Sequence, residues 1–134
     1  MQKLMLLIDD DKEEQEILKA AVEKADPDVS FAWAANAYRA GLFLEQVLPD
    51  LIFLDYNMPG INGLELLSSL RKKEKMKHVP VFIYTSALTP ALQERARTLG
   101  ANGCLEKQPD TKRLVRDVQD ALRTVAGTKY HPIH

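Results

Sequence analysis

The sequence predicts an α/β fold, a doubly wound parallel sheet of five strands with five helices on its two faces. Three observations carry that expectation. Short apolar runs alternate with amphipathic runs along the 134 residues, the pattern of successive strand–helix units. Runs such as Leu51–Leu54 show no polar alternation, as in strands buried on both sides. Four of the apolar runs end in polar residues: Asp9-Asp10-Asp11, Asp55, Thr85-Ser86 and Lys107. Open parallel sheets bind ligands beyond the carboxyl ends of their strands, where all four segments fall.

Taken in order, Leu4–Ile8 is the first strand. From Lys12 to Ala25, apolar Ile17, Leu18, Ala21, Val22 and Ala25 recur at helical spacing, and Asp26-Pro27-Asp28 stops that helix. Val29–Ala34 is the second strand, and Asn36 caps a helix carrying Leu42, Phe43, Val47 and Leu48. Pro49-Asp50 leads into Leu51–Leu54, the third strand, and Met58-Pro59-Gly60 is a turn. A third helix runs from about Asn62 to Glu74 with Leu64, Leu66, Leu67 and Leu70 inward. Pro80 opens the fourth strand, Val81–Tyr84; Pro90 suits the first turn of a fourth helix, which Gly100 ends. Asn102–Glu106 is a short fifth strand. Asp110 or Thr111 caps a fifth helix bearing Leu114, Val118, Ala121, Leu122 and Val125. The expected organisation is one domain over residues 1–126 and a C-terminal tail over 127–134.

Composition narrows the function classes. Eighteen basic against nineteen acidic residues leave a formal net charge of -1, so no global field draws the chain to nucleic acid or to an anionic membrane. No apolar run approaches the roughly 18 residues that span a bilayer. Leu4–Ile8 is too short for a signal peptide and runs into three aspartates instead of a cleavage site, so a cytoplasmic protein is expected. The one cysteine, Cys104, excludes an internal disulfide and a Cys-based zinc cluster.

The polar strand ends carry the chemistry. Flavodoxin-like sheets can hold a phosphate in the first strand-to-helix loop, but here that loop is Asp9-Asp10-Asp11, which repels one. No glycine-rich phosphate loop occurs elsewhere. Clustered carboxylates without His or Cys call for a hard cation, Mg²⁺ or Mn²⁺. Asp55 is the nucleophile candidate: it stands alone at the end of the central strand, and the Met58-Pro59-Gly60 turn is expected to leave it accessible. Lys107 can neutralise one phosphoryl oxygen and Thr85 can donate a hydrogen bond to another. Singly, these residues are ordinary. Asp11 reads as a helix cap, Thr85 and Ser86 as caps for the helix near Pro90, and Lys107 as a surface lysine. It is the joint pattern that points to a phosphorylation site.

The motifs LLIDDD at 6–11, PDLIFLDYNMPGINGLELL at 49–67, VPVFIYTSA at 79–87 and GANGCLEK at 100–107 resemble those of the receiver domains of two-component response regulators. The resemblance runs from Lys3 to about Val125. It implies a flavodoxin-like sheet of strand order 2-1-3-4-5. It also implies that Asp55 accepts a phosphoryl group from a phosphohistidine on a sensor histidine kinase or phosphotransfer protein. Asp9, Asp10, Asp55 and the backbone carbonyl of Asn57 would hold Mg²⁺, with Mn²⁺ as a substitute. Thr85 and Lys107 would contact the phosphoryl group, and Asn57 and Ala87 occupy the positions that tune its lifetime. The chain departs from the family's pattern twice. Cys104 stands where an aromatic residue often reports phosphorylation, so switching must use Thr85, the loop after the fourth strand, or backbone motion. Gln108 separates Lys107 from Pro109, where proline usually follows the lysine directly.

Several other residues receive structural readings. Trp33 is expected to pack beneath the second helix, Cys104 to be a small buried apolar residue, and His78 to sit in a surface loop. His131 and His134 fall in the tail, and Arg71-Lys72-Lys73 meets the dipole at the end of the third helix. The expected function is a stand-alone, phosphorylation-dependent signalling module that turns over no external substrate and works through an unidentified downstream protein. It would dock or form a homodimer through the face of the fourth helix, fifth strand and fifth helix, which carries Arg95, Arg97, Lys112 and Arg116. Direct nucleic-acid or membrane binding is not expected. The alternatives are a constitutive scaffold independent of phosphorylation and an Asp-nucleophile phosphatase of the haloacid dehalogenase type. The latter would use Asp9 and Asp11 as its D-x-D motif but lacks a cap domain.

Overall fold

Residues 2–125 are described by a computed structural model of the chain. Their elements are β1 (Lys3–Ile8), α1 (Lys12–Ala25), β2 (Val29–Ala34), α2 (Ala37–Gln46), β3 (Leu51–Asp55), α3 (Gly63–Arg71), β4 (Val81–Thr85), α4 (Pro90–Thr98), β5 (Gly103–Glu106) and α5 (Thr111–Leu122), with a 3₁₀ turn at Glu74–Met76. All strand pairs are parallel, as the residue pattern predicts, and the order is β2-β1-β3-β4-β5, as the family resemblance implies. The tail boundary, His131 and His134 lie outside the described residues.

Alternating side chains of the inner strands divide the core into two layers. Leu6, Ile8, Ile52, Leu54, Val81 and Ile83 pack with α2, α3 and α4 residues such as Leu44, Leu67 and Ala96. Met5, Leu7, Leu51, Phe53, Phe82 and Tyr84 pack with Leu18 and Val22 of α1 and with Leu114 and Val118 of α5. Because β1, β3 and β4 are covered on both sides, their apolar runs are unbroken and their carboxyl ends are held rigidly together. Among the described residues no helix is long and apolar enough to cross a membrane.

The caps follow local chemistry. Asp11 accepts hydrogen bonds from the Glu13 and Glu14 backbone N–H groups, Asn36 from Arg39, and Asp110 from Lys112 and Arg113. Asn62 and Glu65 form a capping box on α3. Thr89, rather than Thr85 or Ser86, caps α4, its hydroxyl accepting from Leu92 N–H just before Pro90 at the first turn. Gly100 follows that helix with φ +106°, where a side chain would be strained.

Three expectations need correction. On α2 the buried residues are Ala40 and Leu44; Leu42, Val47 and Leu48 are exposed, because the helix flanks the β2 edge and ends at Gln46. Trp33 packs with the α1–α5 layer, not beneath α2, because strand alternation sends Phe31 and Trp33 to that side. The third helix stops at Arg71 rather than Glu74. There the Arg71 guanidinium donates to the carbonyls of Met76 (2.6 Å), Val79 (2.8 Å) and Gly100 (2.8 and 3.0 Å) and to Asn102 Oδ1 (3.1 Å). Such a set rewards folding the chain back over the side chain, and burial lowers the guanidinium's pKa from its usual value. Arg71 is thus a clamp joining α3 to the strand edges of β4 and β5, more than a partner for its own helix dipole. His78 is exposed, as expected.

Removing the clamp leaves several carbonyls without their donor. Arg71→Met is expected to cost about 2–4 kcal/mol in urea unfolding, and Arg71→Lys to recover less than half of it, because a single ammonium cannot span the fork.

Candidate functional site

The parallel register sets the site. Ile8 pairs with Leu54, so Asp9 follows β1 beside Asp55 at the end of β3; Asp55 pairs with Tyr84, and Thr85 with Glu106, one residue before Lys107. Four strands of one sheet therefore deliver Asp9, Asp55, Thr85 and Lys107 to a single edge. Lys107 is fastened there by its backbone N–H, which donates to the Thr85 carbonyl at 2.8 Å. Its Nζ lies 3.0 Å from Asp9 Oδ2 and 3.3 Å from Asp55 Oδ1. The lysine is aimed into the site with Gln108 as its successor, and no cis peptide bond occurs among the described residues.

Asp9 is entirely buried. Its backbone N–H donates to the Ala34 carbonyl at 3.1 Å, its carbonyl accepts from the Trp33 indole N–H at 2.7 Å, and its Oδ1 accepts from Asp11 N–H at 2.9 Å. Oδ2 has no aligned hydrogen bond, and its partner is the ion pair with the Lys107 ammonium. Carboxylate oxygens of Asp9, Asp10 and Asp55 lie within 4.8 Å of one another, with Asp10 exposed. Three oxygen donors, one of them buried and short of a hydrogen bond, match the demands of a hard divalent cation.

Asp55 is 4% exposed, not the open residue the following turn suggested. Strand β3 carries it into the covered edge beneath Lys107, and its Oδ1 accepts from Asn57 N–H at 3.4 Å. Space for the turn comes from Gly63: a Cβ there would lie 2.5 Å from the Asp55 carbonyl oxygen, so α3 can begin against this backbone only with glycine. Thr85 is buried, and its Oγ1 accepts from Ala87 N–H at 3.2 Å, which leaves its hydroxyl proton to donate elsewhere. Asn57 is exposed, two residues beyond Asp55. Cys104 is half-buried and packs with the α2–α4 layer, and burial pushes its thiol's pKa up.

The electrostatics follow from burying acids together. Burial, and after it the Asp9 carboxylate, pushes the Asp55 acid up to about 6, while Lys107 and the Asn57 N–H oppose the rise. For Lys107, burial acts to lower the pKa, but Asp9 and then Asp55 outweigh it and hold the ammonium above its usual value. Two residues read only as helix and strand positions also belong here. Tyr84 donates its hydroxyl to Glu14 Oε2 at 2.8 Å, and Lys107 Nζ lies 5.5 Å from the Tyr84 ring centroid. Burial first, and then Glu14, raises the phenol's pKa; burial likewise raises that of Glu14. A tyrosine in a fully buried strand must find a partner for its hydroxyl, and that was the available signal.

Comparison with known proteins agrees with this geometry. The family model described as the response regulator receiver domain matches residues 5–119. The nitrate/nitrite response regulator protein NarL of Escherichia coli strain K12 is 35% identical over 118 residues, covering 87% of this chain and 53% of NarL. The chain thus spans about half the length of that relative. Among solved structures, the signal receiver domain of a DNA-binding response regulator from Colwellia psychrerythraea 34H is 28% identical, with a TM-score of 0.80 over 91% of this chain and 99% of that one. The Mn²⁺-bound form of response regulator Rcp1 shares the fold, with 23% identity and a TM-score of 0.79 over 96% of this chain and 99% of that one.

The raised pKa of Asp55 has a stability consequence. The folded acid binds its proton more tightly than the unfolded one, whose ordinary value is 3.8. The contribution of Asp55 to the stability of the metal-free protein therefore falls as pH rises through this interval, from about 4 to about 6. In chelator-treated buffer near pH 7.5, Asp55→Asn is expected to be more stable than wild type by about 1–3 kcal/mol. The gain should vanish below about pH 4; urea unfolding across this range checks it.

Proposed function

The chain belongs to the response regulator receiver family, and from that premise we propose that it accepts a phosphoryl group on Asp55, in a Mg²⁺-dependent reaction, and signals through phosphorylation-dependent protein contacts. The observation that carries this reading is Lys107 Nζ poised 3.0 Å from Asp9 and 3.3 Å from Asp55 at the edge where four strands end. A surface lysine or a scaffold needs no such convergence of buried acids and a base.

The donor is a phosphohistidine of a sensor histidine kinase or phosphotransfer protein. An Asp55 carboxylate oxygen attacks phosphorus, the P–N bond breaks, and its electron pair returns to the imidazole nitrogen of the donor. Asp55 must be ionised to attack; burial and the Asp9 carboxylate oppose that, and Lys107 favours it, as would a cation held by the same acids. Lys107 neutralises charge on a phosphoryl oxygen as it moves from the carboxylates to the new group. Thr85 donates its free hydroxyl proton to another oxygen, and because Oγ1 also accepts from Ala87 N–H, that donation pulls on the β4–α4 loop. With Cys104 in β5 there is no aromatic rotamer to relay the change, so this loop is the proposed output lever. Asp9, Asp10, Asp55 and the backbone carbonyl of Asn57 are the proposed ligands of Mg²⁺, or of Mn²⁺, which when bound supplies positive charge against the acids and the phosphoryl oxygens.

Receiver domains are signalling modules without catalysis on an external substrate, and the self-limited chemistry proposed for Asp55 is of that kind. Output is proposed to pass through α4, β5 and α5, where Arg95, Arg97, Lys112 and Arg116 are exposed, to a downstream protein or a second copy of the chain. A role in the cytoplasm, without direct contact of this domain to nucleic acid or membrane, completes the proposal.

Incubation with Mg²⁺ and acetyl phosphate is expected to add one phosphoryl group by intact mass, and Asp55→Asn to add none. Release of phosphate with turnover on unrelated phosphomonoesters would overturn the reading in favour of a phosphatase, and absence of any adduct in favour of a scaffold. The single tryptophan gives a second test. Since Trp33 N–H donates to the Asp9 carbonyl, Mg²⁺ titration should change its fluorescence saturably, and Asp9→Asn should abolish the response.

A further inference from the structure

Nothing in its own backbone aims the Lys107 ammonium. The peptide N–H is tied to the Thr85 carbonyl at 2.8 Å, but the side chain beyond it has four flexible carbons. The ring beneath the ammonium is far better fixed. Tyr84 is fully buried in β4, its ring packs on Phe53 with centroids 5.5 Å apart, and its hydroxyl donates to Glu14 Oε2 at 2.8 Å. Glu14 is half-buried in the first turn of α1, whose Asp11 cap directly follows Asp9-Asp10. One short segment therefore supplies two acids of the site and the anchor for the ring. Lys107 Nζ stands 5.5 Å from that ring's centroid, within reach of the attraction between a cation and an aromatic face.

We propose that Tyr84, anchored by Glu14, is a positioning residue that holds the Lys107 ammonium toward Asp9 and Asp55. The proposal rests on the reading of Asp55 as phosphoacceptor. The ring presents a negative face that keeps Nζ at the strand edge, and the Glu14 bond stops the ring from turning away. Tyr84 touches neither the phosphoryl group nor the carboxylates in this role; it acts through Lys107.

The test compares the rate of Asp55 phosphorylation by acetyl phosphate in wild type and four variants, with Mg²⁺ affinity measured by calorimetry. Tyr84→Phe keeps the ring and loses only the anchor, so about a threefold slower rate is expected; Tyr84→Met fills the volume without a π face and should be slower by about tenfold or more. Both should bind Mg²⁺ no more weakly than wild type, which a collapsed site would not. On the half-buried helix position, where the fold tolerates change, Glu14→Ala should slow the reaction several-fold and Glu14→Gln should restore it, because an amide oxygen still accepts from the phenol. Equal rates for the Phe and Met variants, rate losses that track weakened Mg²⁺ binding, or a Gln variant no better than Ala would each overturn the proposal. A wild-type protein that takes up no phosphoryl group overturns the Asp55 reading itself, and with it the role of Tyr84.

Discussion

Two buried carboxylates share one ammonium at the carboxyl edge of the sheet, and much of the structure exists to keep them there. Asp9 and Asp55 repel each other, and burial raises the cost of leaving both charged. A flexible chain would relieve this by letting one acid swing into water. Here each acid ends a strand that is covered on both faces, so the sheet holds the pair together against that tendency. Lys107 offsets part of the repulsion, and Asp9 Oδ2 still lacks an aligned hydrogen bond. The edge is left with unsatisfied negative charge, the property that a divalent cation requires.

The surrounding contacts divide that task. The Trp33 indole pins the Asp9 carbonyl from the edge strand, and Asp11 spends its carboxylate on the α1 cap rather than on the site. Gly63 lets α3 start against the Asp55 backbone. Farther away, Arg71 joins α3 to the start of β4 and to the loop before β5 through carbonyls at both. The lower part of the fold is made rigid by apolar burial and this clamp. Its upper edge carries strained electrostatics, a distribution common where stability is traded for function.

Much of this was legible from local pattern. Unbroken apolar runs marked the buried strands, and Asp9, Asp10, Asp55, Thr85 and Lys107 could be grouped because each lies at a strand end. Caps at Asn36 and Asp110 were equally local. The α2 face was partly misjudged because helical spacing says which residues share a side, not how wide a surface waits to cover them; at the β2 edge that surface buries Ala40 and Leu44, half-covers Phe43 and leaves Leu42, Val47 and Leu48 exposed. Trp33 was misplaced because the layer it joins depends on which face of β2 meets α1 and α5. Arg71 looked like an end-of-helix charge because its acceptors at Gly100 and Asn102 are 29 and 31 residues away.

The sequence alone determined the order of strands and helices along the chain, the polar character of the strand ends and the exclusion of a glycine-rich phosphate loop, since these are properties of neighbouring residues. Tertiary structure decided which acids are buried, how closely Lys107 approaches them, and that Tyr84 and Glu14, 70 residues apart, meet beside it. These depend on register and on which layer each side chain enters. Periodicity states neither, because distance between strands is set by packing rather than by separation along the chain.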